Sequence, residues 1–185
     1  MPKSNFEHEL IQKCCDGNRA AYREFYEFYA GELLAIAFRY MKTKQEAEDV
    51  LQETFIKAFK NLASFNRQAS LKTWLTTIVI NTALNALRNQ HNSRLWKISE
   101  LESVEISTLP LDNYNYTDLV SFIQQLPVGC QSVFNLYAIE GYSHKEIADL
   151  LSISQGTSKS QYHRAKMLLQ KIIVSEETRT KQKVI

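Results

Sequence analysis

The stretch Ser143-His144-Lys145-Glu146 constrains this chain more than any other. A serine followed three residues later by glutamate is a capping box, in which each side chain satisfies the other residue's backbone amide at a helix start. The helix it opens, Lys145 to Leu151, carries Ile147, Ala148 and Leu151 on one side. Ser152 to Ser154 predicts a tight turn. A longer helix then runs from about Gln155 to Ile173, with Ser158, Tyr162, Ala165 and Leu169 as its inward face. Upstream, Leu126-Pro127 opens a helix with proline in its first turn, continuing from Val128 to Ile139 and stopping at Gly141. Two short helices across a tight turn make a helix-turn-helix.

The N-terminal half is helical by the same reasoning. Phe25, Tyr26, Tyr29, Leu33, Ile36, Ala37 and Tyr40 recur at steps of one, three and four residues. Thr43-Lys44-Gln45-Glu46 is a second capping box, and its helix continues through Ala47, Val50, Leu51, Phe55, Ile56 and Phe59. Asn61 to Ala69 reads as a turn region. Ser70 then caps a helix over 71–90, where the spacing of Trp74, Ile78 and Thr82 outweighs the β-branched run TTIVI. No alternating strand pattern appears, so the fold class is all-α.

Charge divides the 185 residues into three parts. Residues 1–91 carry 12 basic and 10 acidic side chains, residues 92–118 carry 2 and 5, and residues 119–185 carry 8 and 5. The middle stretch is acidic, weakly periodic and contains Pro110. We therefore expect two small helical domains, 1–91 and 118–185, joined by a flexible linker, 92–117, that is longer than ordinary compact connections.

Chemistry follows from what the helices display. Between Gln155 and Lys171 stand Lys159, Arg164, Lys166 and Lys171 with no acidic residue, a face suited to a phosphate backbone. The amides of Gly156 and Thr157 at the helix start suit a phosphate oxygen, and Ser160, His163 and Arg164 are spaced to reach base edges. Lys159 and Lys166 serve as phosphate contacts. His8, His91, His144 and His163 lack metal-ligand spacing, adjacent Cys14 and Cys15 suit neither zinc nor a disulfide framework, and Cys130 stands apart. No phosphate-binding glycine loop appears. These features argue against an enzyme and against a metal or cofactor. No apolar signal segment or bilayer-length run is seen, so the expectation is a cytoplasmic protein without membrane insertion.

Read together, LPVGCQSVFNLYAIEGYSHKEIADLLSISQGTSKSQYHRAKMLLQKI resembles region 4 of bacterial RNA polymerase sigma factors of the extracytoplasmic-function subclass. AEDVLQETFIKAFKNLASF resembles their region 2.2, and KTWLTTIVINTALNALR their regions 2.3 and 2.4. Order and spacing agree over about residues 18–174. The resemblance implies a promoter-specificity subunit that brings core polymerase to promoters and helps open the duplex. It implies docking on the clamp helices of the largest subunit through Asp49, Gln52, Glu53 and Phe55, with a further contact to the flap region. It implies −10 recognition by Asn81 and Asn85, and capture of a flipped non-template base by the loop Phe65 to Ser70. Arg67 and Lys72 would be phosphate contacts, and Trp74 core support. It places Gly156, Thr157, Lys159, Ser160, His163, Arg164 and Lys166 at the −35 element. Family members are commonly held by a membrane-associated anti-sigma factor. Ser158 stands where relatives commonly have valine, and Gln161 where some have an arginine that touches the promoter.

As bare residues, Asp49 and Glu53 read equally as helix surface, Asn81 and Asn85 as surface or packing polarity, and Phe65 as a core anchor. Two other functions fit the helix-turn-helix by itself: a stand-alone transcriptional regulator that never joins polymerase, and a helical protein-interaction module. Copurification with core polymerase separates the first, and absence of DNA affinity the second.

Overall fold

In the computed structural model, residues 3–90 and 115–183 are described, and every regular element among them is helical. The chain divides into two compact units, Met1–Leu87 and Arg88–Ile185. Most of the expected linker lies outside the described residues.

The first unit contains α1 (Lys3–Cys15), α2 (Arg19–Tyr40), α3 (Lys44–Asn61) and all but the last three residues of α4 (Leu71–Gln90). Asn18 caps α2 by accepting from the Ala20 and Ala21 amides. Thr43 and Glu46 form the expected capping box of α3. The apolar steps of α2 close against α3, with Phe25, Tyr29, Leu33, Ala37 and Tyr40 buried on one side and Ala47, Val50, Leu51 and Ala58 on the other. Aromatic rings dominate this seam: Phe59 meets Tyr22 at 4.7 Å and Phe25 at 5.3 Å, and Phe55 meets Tyr26 at 4.7 Å between centroids. A single 3-10 turn, Leu62–Ser64, ends α3, and Ser70 then caps α4 through the Thr73 amide. The β-branched run stays helical because Leu75, Val79, Ile80, Thr82, Ala83 and Leu84 are all buried.

The second unit contains α5 (Tyr116–Gln124), α6 (Val128–Phe134), α7 (His144–Leu151) and α8 (Gln155–Lys183). Its core joins Phe122, Ile123 and Leu126 to Cys130 of α6 and to Ala165, Leu169 and Ile173 of α8. One difference from the sequence expectation concerns α6. Regular helix stops at Phe134, and residues Asn135–Ile139 form a wider turn in which the Glu140 amide donates to the Asn135 carbonyl, five residues back. Gly141, at φ +80°, then ends the segment in a left-handed conformation.

Candidate functional site

On α3, the capping box fixes the helix start, and Asp49, Gln52 and Glu53 then emerge together on its exposed side. Steps of three and four residues put them on one face. Phe55 departs from the expectation of a contact residue. It is only 4% exposed and belongs to the aromatic seam, because the apolar stripe of α3 runs through it. Ile56 is the apolar residue that the face does present, 54% exposed beside Gln52 and Glu53. Its signal lay in the sequence as an isoleucine on the polar side of the stripe. Glu53 pairs with Lys57 at 2.7 Å, and the Lys57 ammonium also donates to Thr82 Oγ1 of α4 at 3.3 Å.

The loop between α3 and α4 is tightly specified. The Phe65 amide closes on the Leu62 carbonyl, Asn66 Oδ1 accepts from the Gln68 amide, and Arg67 takes φ +59°. Phe65 is half-buried and packs on half-buried Trp74 at 5.2 Å, so neither ring is sealed in the core. A cleft of about 530 Å³ opens beside them. Phe65, Arg67 and Ser70 bound it on the loop side, and Glu7, His8 and Ile11 of α1 on the other. The α1 wall was not foreseen, since nothing in residues 6–11 announces a site until the fold lays α1 along the loop. Lys72 is exposed and pairs with Glu32 of α2 at 2.9 Å. Further along α4, Asn81 is half-buried and Asn85 exposed, one turn apart.

In the second unit, Ser143 and Glu146 cap α7 reciprocally. These bonds from the Ser143 hydroxyl and then its amide hold the Glu146 carboxyl below its ordinary pKa. Ser152 adopts φ +56°, and the Ile153 amide returns to the Ala148 carbonyl, which makes the tight turn. Ser154 caps α8 by accepting from the Thr157 amide, so that amide is already occupied, contrary to the expectation that it is free for a phosphate. Gly156, Lys159, Ser160 and His163 are exposed, whereas Thr157, Arg164 and Lys166 are half-buried. The Lys166 ammonium lies 5.0 Å from the centre of the Tyr162 ring.

The inward stripe of α8 is turned relative to the expected one. Ser158, Ala165 and Leu169 are buried as expected, but Gln161 is also buried and Tyr162 is only half-buried. Gln161 Oε1 accepts from Cys130 Sγ at 2.9 Å inside the core, so this residue is removed from any promoter-facing surface. Burial pushes the Cys130 thiol up to about 11, and the nearby Arg164 charge acts the other way. Arg164 is half-buried and its Nε is enclosed, whereas Ser160 and His163 are exposed. His144, first residue of α7, binds Ser158 Oγ through Nδ1 at 2.9 Å and stacks on Tyr137 at 4.3 Å. Desolvation, with Lys159 as the lesser cause, lowers its pKa.

The second unit thus has the build of a helix-turn-helix reader, with a capped supporting helix and an exposed polar and basic face on the next one. Residues 25–93 match the model of Sigma-70 region 2, and residues 116–169 that of Sigma-70 region 4. The RNA polymerase sigma-H factor of Pseudomonas aeruginosa is 30% identical over 182 residues, covering 90% of this chain and 93% of that one. The ECF RNA polymerase sigma factor SigW of Bacillus subtilis is 29% identical, covering 87% and 93%. The solved structure of the sigma factor RpoE with the anti-sigma factor NepR from Bartonella quintana matches with a TM-score of 0.53 at 25% identity, covering 81% and 94%. This chain belongs to the bacterial RNA polymerase sigma factors, in the extracytoplasmic-function subclass. It is a non-catalytic specificity subunit that directs core polymerase to promoters for transcription initiation, and it works in the cytoplasm. Among the described residues, no helix is long and apolar enough to cross a membrane.

Proposed function

We propose that the first unit docks on the clamp helices of the polymerase largest subunit through the α3 face formed by Asp49, Gln52, Glu53 and Ile56. Phe55 supports that face from behind. The observation that carries this reading is an exposed isoleucine set among exposed polar and acidic residues on one side of a well-anchored helix. Asn81 and Asn85 read the −10 element, since a carboxamide both donates and accepts at a base edge. The cleft beside Phe65 takes a flipped non-template base, and Arg67 holds its phosphate. Lys72 adds to the basic rim once DNA phosphate competes with Glu32.

The exposed side of α8 reads the −35 duplex through Ser160 and His163. Lys159, with Lys166 at the edge, contacts phosphates. Arg164 supports α8 from its flank, and the region-4 unit also meets the flap region. Residues 1–91 act as the core-binding and melting domain, 92–117 as the tether and 118–185 as the −35 domain. The tether makes the second DNA contact effectively intramolecular once the first is formed. No covalent chemistry is involved. Opening is driven by binding, as unpaired bases exchange stacking on neighbours for stacking and hydrogen bonds in protein.

The relative solved with an anti-sigma factor supports the reading that this chain too is held by one. Transcription in vitro with purified core polymerase and a promoter library tests the whole reading. Enrichment of paired −35 and −10 motifs is expected. Enrichment of a −35 motif alone, in binding but never in transcripts, would refute it.

A further inference from the structure

The cleft between α1 and the loop has two built walls, and the selectivity they can impose rests on the base-capture reading proposed above. Its α1 wall holds a carboxylate in a fixed position. Tyr29 is buried, and its hydroxyl donates to Glu7 Oε1 at 3.0 Å. Burial, the hydrogen bond and the Glu7 charge all raise the Tyr29 pKa, so the phenol stays protonated and keeps donating. Glu7 itself is half-buried and lines the cleft, and its second oxygen keeps its capacity to accept.

The opposite wall is equally specified. Phe65, backed by Trp74, supplies a ring face on which a base can lie. Arg67 supplies a cation, with its backbone held in the left-handed region by the turn around Asn66. For a nucleotide stacked on Phe65 with its phosphate toward Arg67, the wall left for the base edge is the α1 side, where Glu7 lies.

We infer that Glu7 is a specificity-determining residue of this cleft, and that the base it selects carries an exocyclic amino group. The chemistry is one of donors and acceptors. Cytosine, adenine and guanine each offer amino protons to a carboxylate oxygen. Thymine offers one imide N–H flanked by two carbonyl oxygens, and an oxygen facing a carboxylate is repelled and left unpaired. Because Glu7 is pinned by Tyr29, it cannot swing aside cheaply to admit thymine.

The test uses holoenzyme assembled from core polymerase and the full-length chain, bound to a fork-junction promoter with its non-template −10 strand exposed. An abasic scan of that strand locates the captured position, and all four bases are then compared there. Wild-type protein should bind the three amino-bearing bases about tenfold more tightly than thymine. Glu7→Gln can present an amide donor instead, so it should bring the four bases within about threefold of each other. Tyr29→Phe should weaken the preference in the same direction, with thermal melts confirming that both variants fold. The inference falls by itself if the scan shows one costly position but wild type accepts thymine there equally well, or if Glu7→Gln leaves the preference unchanged. A flat scan would remove the capture reading and this inference together.

Discussion

Replacing Ile56 by alanine isolates the apolar part of the proposed polymerase contact. The substitution removes three carbons. Full burial of that many is worth about 2.4 kcal/mol, at roughly 0.8 kcal/mol per buried carbon. Ile56 is 54% exposed in the free chain, so docking can hide only about half of that, or ~1.3 kcal/mol. At about 1.4 kcal/mol per factor of ten, the affinity for core polymerase should fall nearly tenfold. Stability should hardly move, because an exposed position away from the aromatic seam usually costs less than about 0.5 kcal/mol. Fluorescence titration of labelled protein with core enzyme gives the affinity, and circular dichroism melts give the folding control. A dissociation constant within twofold of wild type, with an unchanged melt, would refute the assignment of this face. A lowered melting temperature would instead show that Ile56 packs more tightly than its exposure indicates.

Three further outcomes are expected from other parts of the molecule. Asn81→Ala combined with Asn85→Ala should abolish permanganate-reactive thymines at the −10 element while binding to a −35 duplex survives, at a cost of about 1–3 kcal/mol for each lost base contact. Lys159→Ala should weaken all −35 sequences alike and lower the salt slope by about one. The Glu146 cap should make α7 sensitive to acid: its folded pKa is depressed, so its contribution is complete above the ordinary carboxylate range and is lost as pH falls through the folded value. Melts from pH 6 to pH 3 should show this loss in wild type, and the Glu146→Gln variant should lack that component.

Much of this was legible because the signals were local. Capping boxes at Thr43 and Ser143 tie a side chain to a backbone amide three residues away, so the spacing alone locates the helix start. The helix-turn-helix was legible for the same reason, down to the turn at Ser152. What escaped depended on tertiary rotation. The sequence marks Tyr162 and Gln161 by polarity and size, and both guesses follow the average behaviour of those residue types. Only the partner helix decides, and Cys130 draws Gln161 inward while Tyr162 moves to the edge. Phe55 and Ile56 are neighbours on α3, about 100° apart around the helix, so the packing of the helix decides which one is offered outward. The Glu7 wall of the cleft was beyond reach, because α1 meets the loop across more than fifty residues of chain.

The hydrogen bond from Cys130 to Gln161 has a mechanical meaning for α8. An all-aliphatic seam is more forgiving, since hydrophobic side chains of matched volume can repack against one another. A thiol that must meet one amide oxygen is not, because rolling the helix about its axis leaves a buried acceptor unmet. The bond therefore acts as a key in a shaft, fixing the azimuth at which α8 presents Lys159, Ser160 and His163. With the azimuth locked from behind, those three exposed positions are free to vary and retune the bases read without altering where the helix aims.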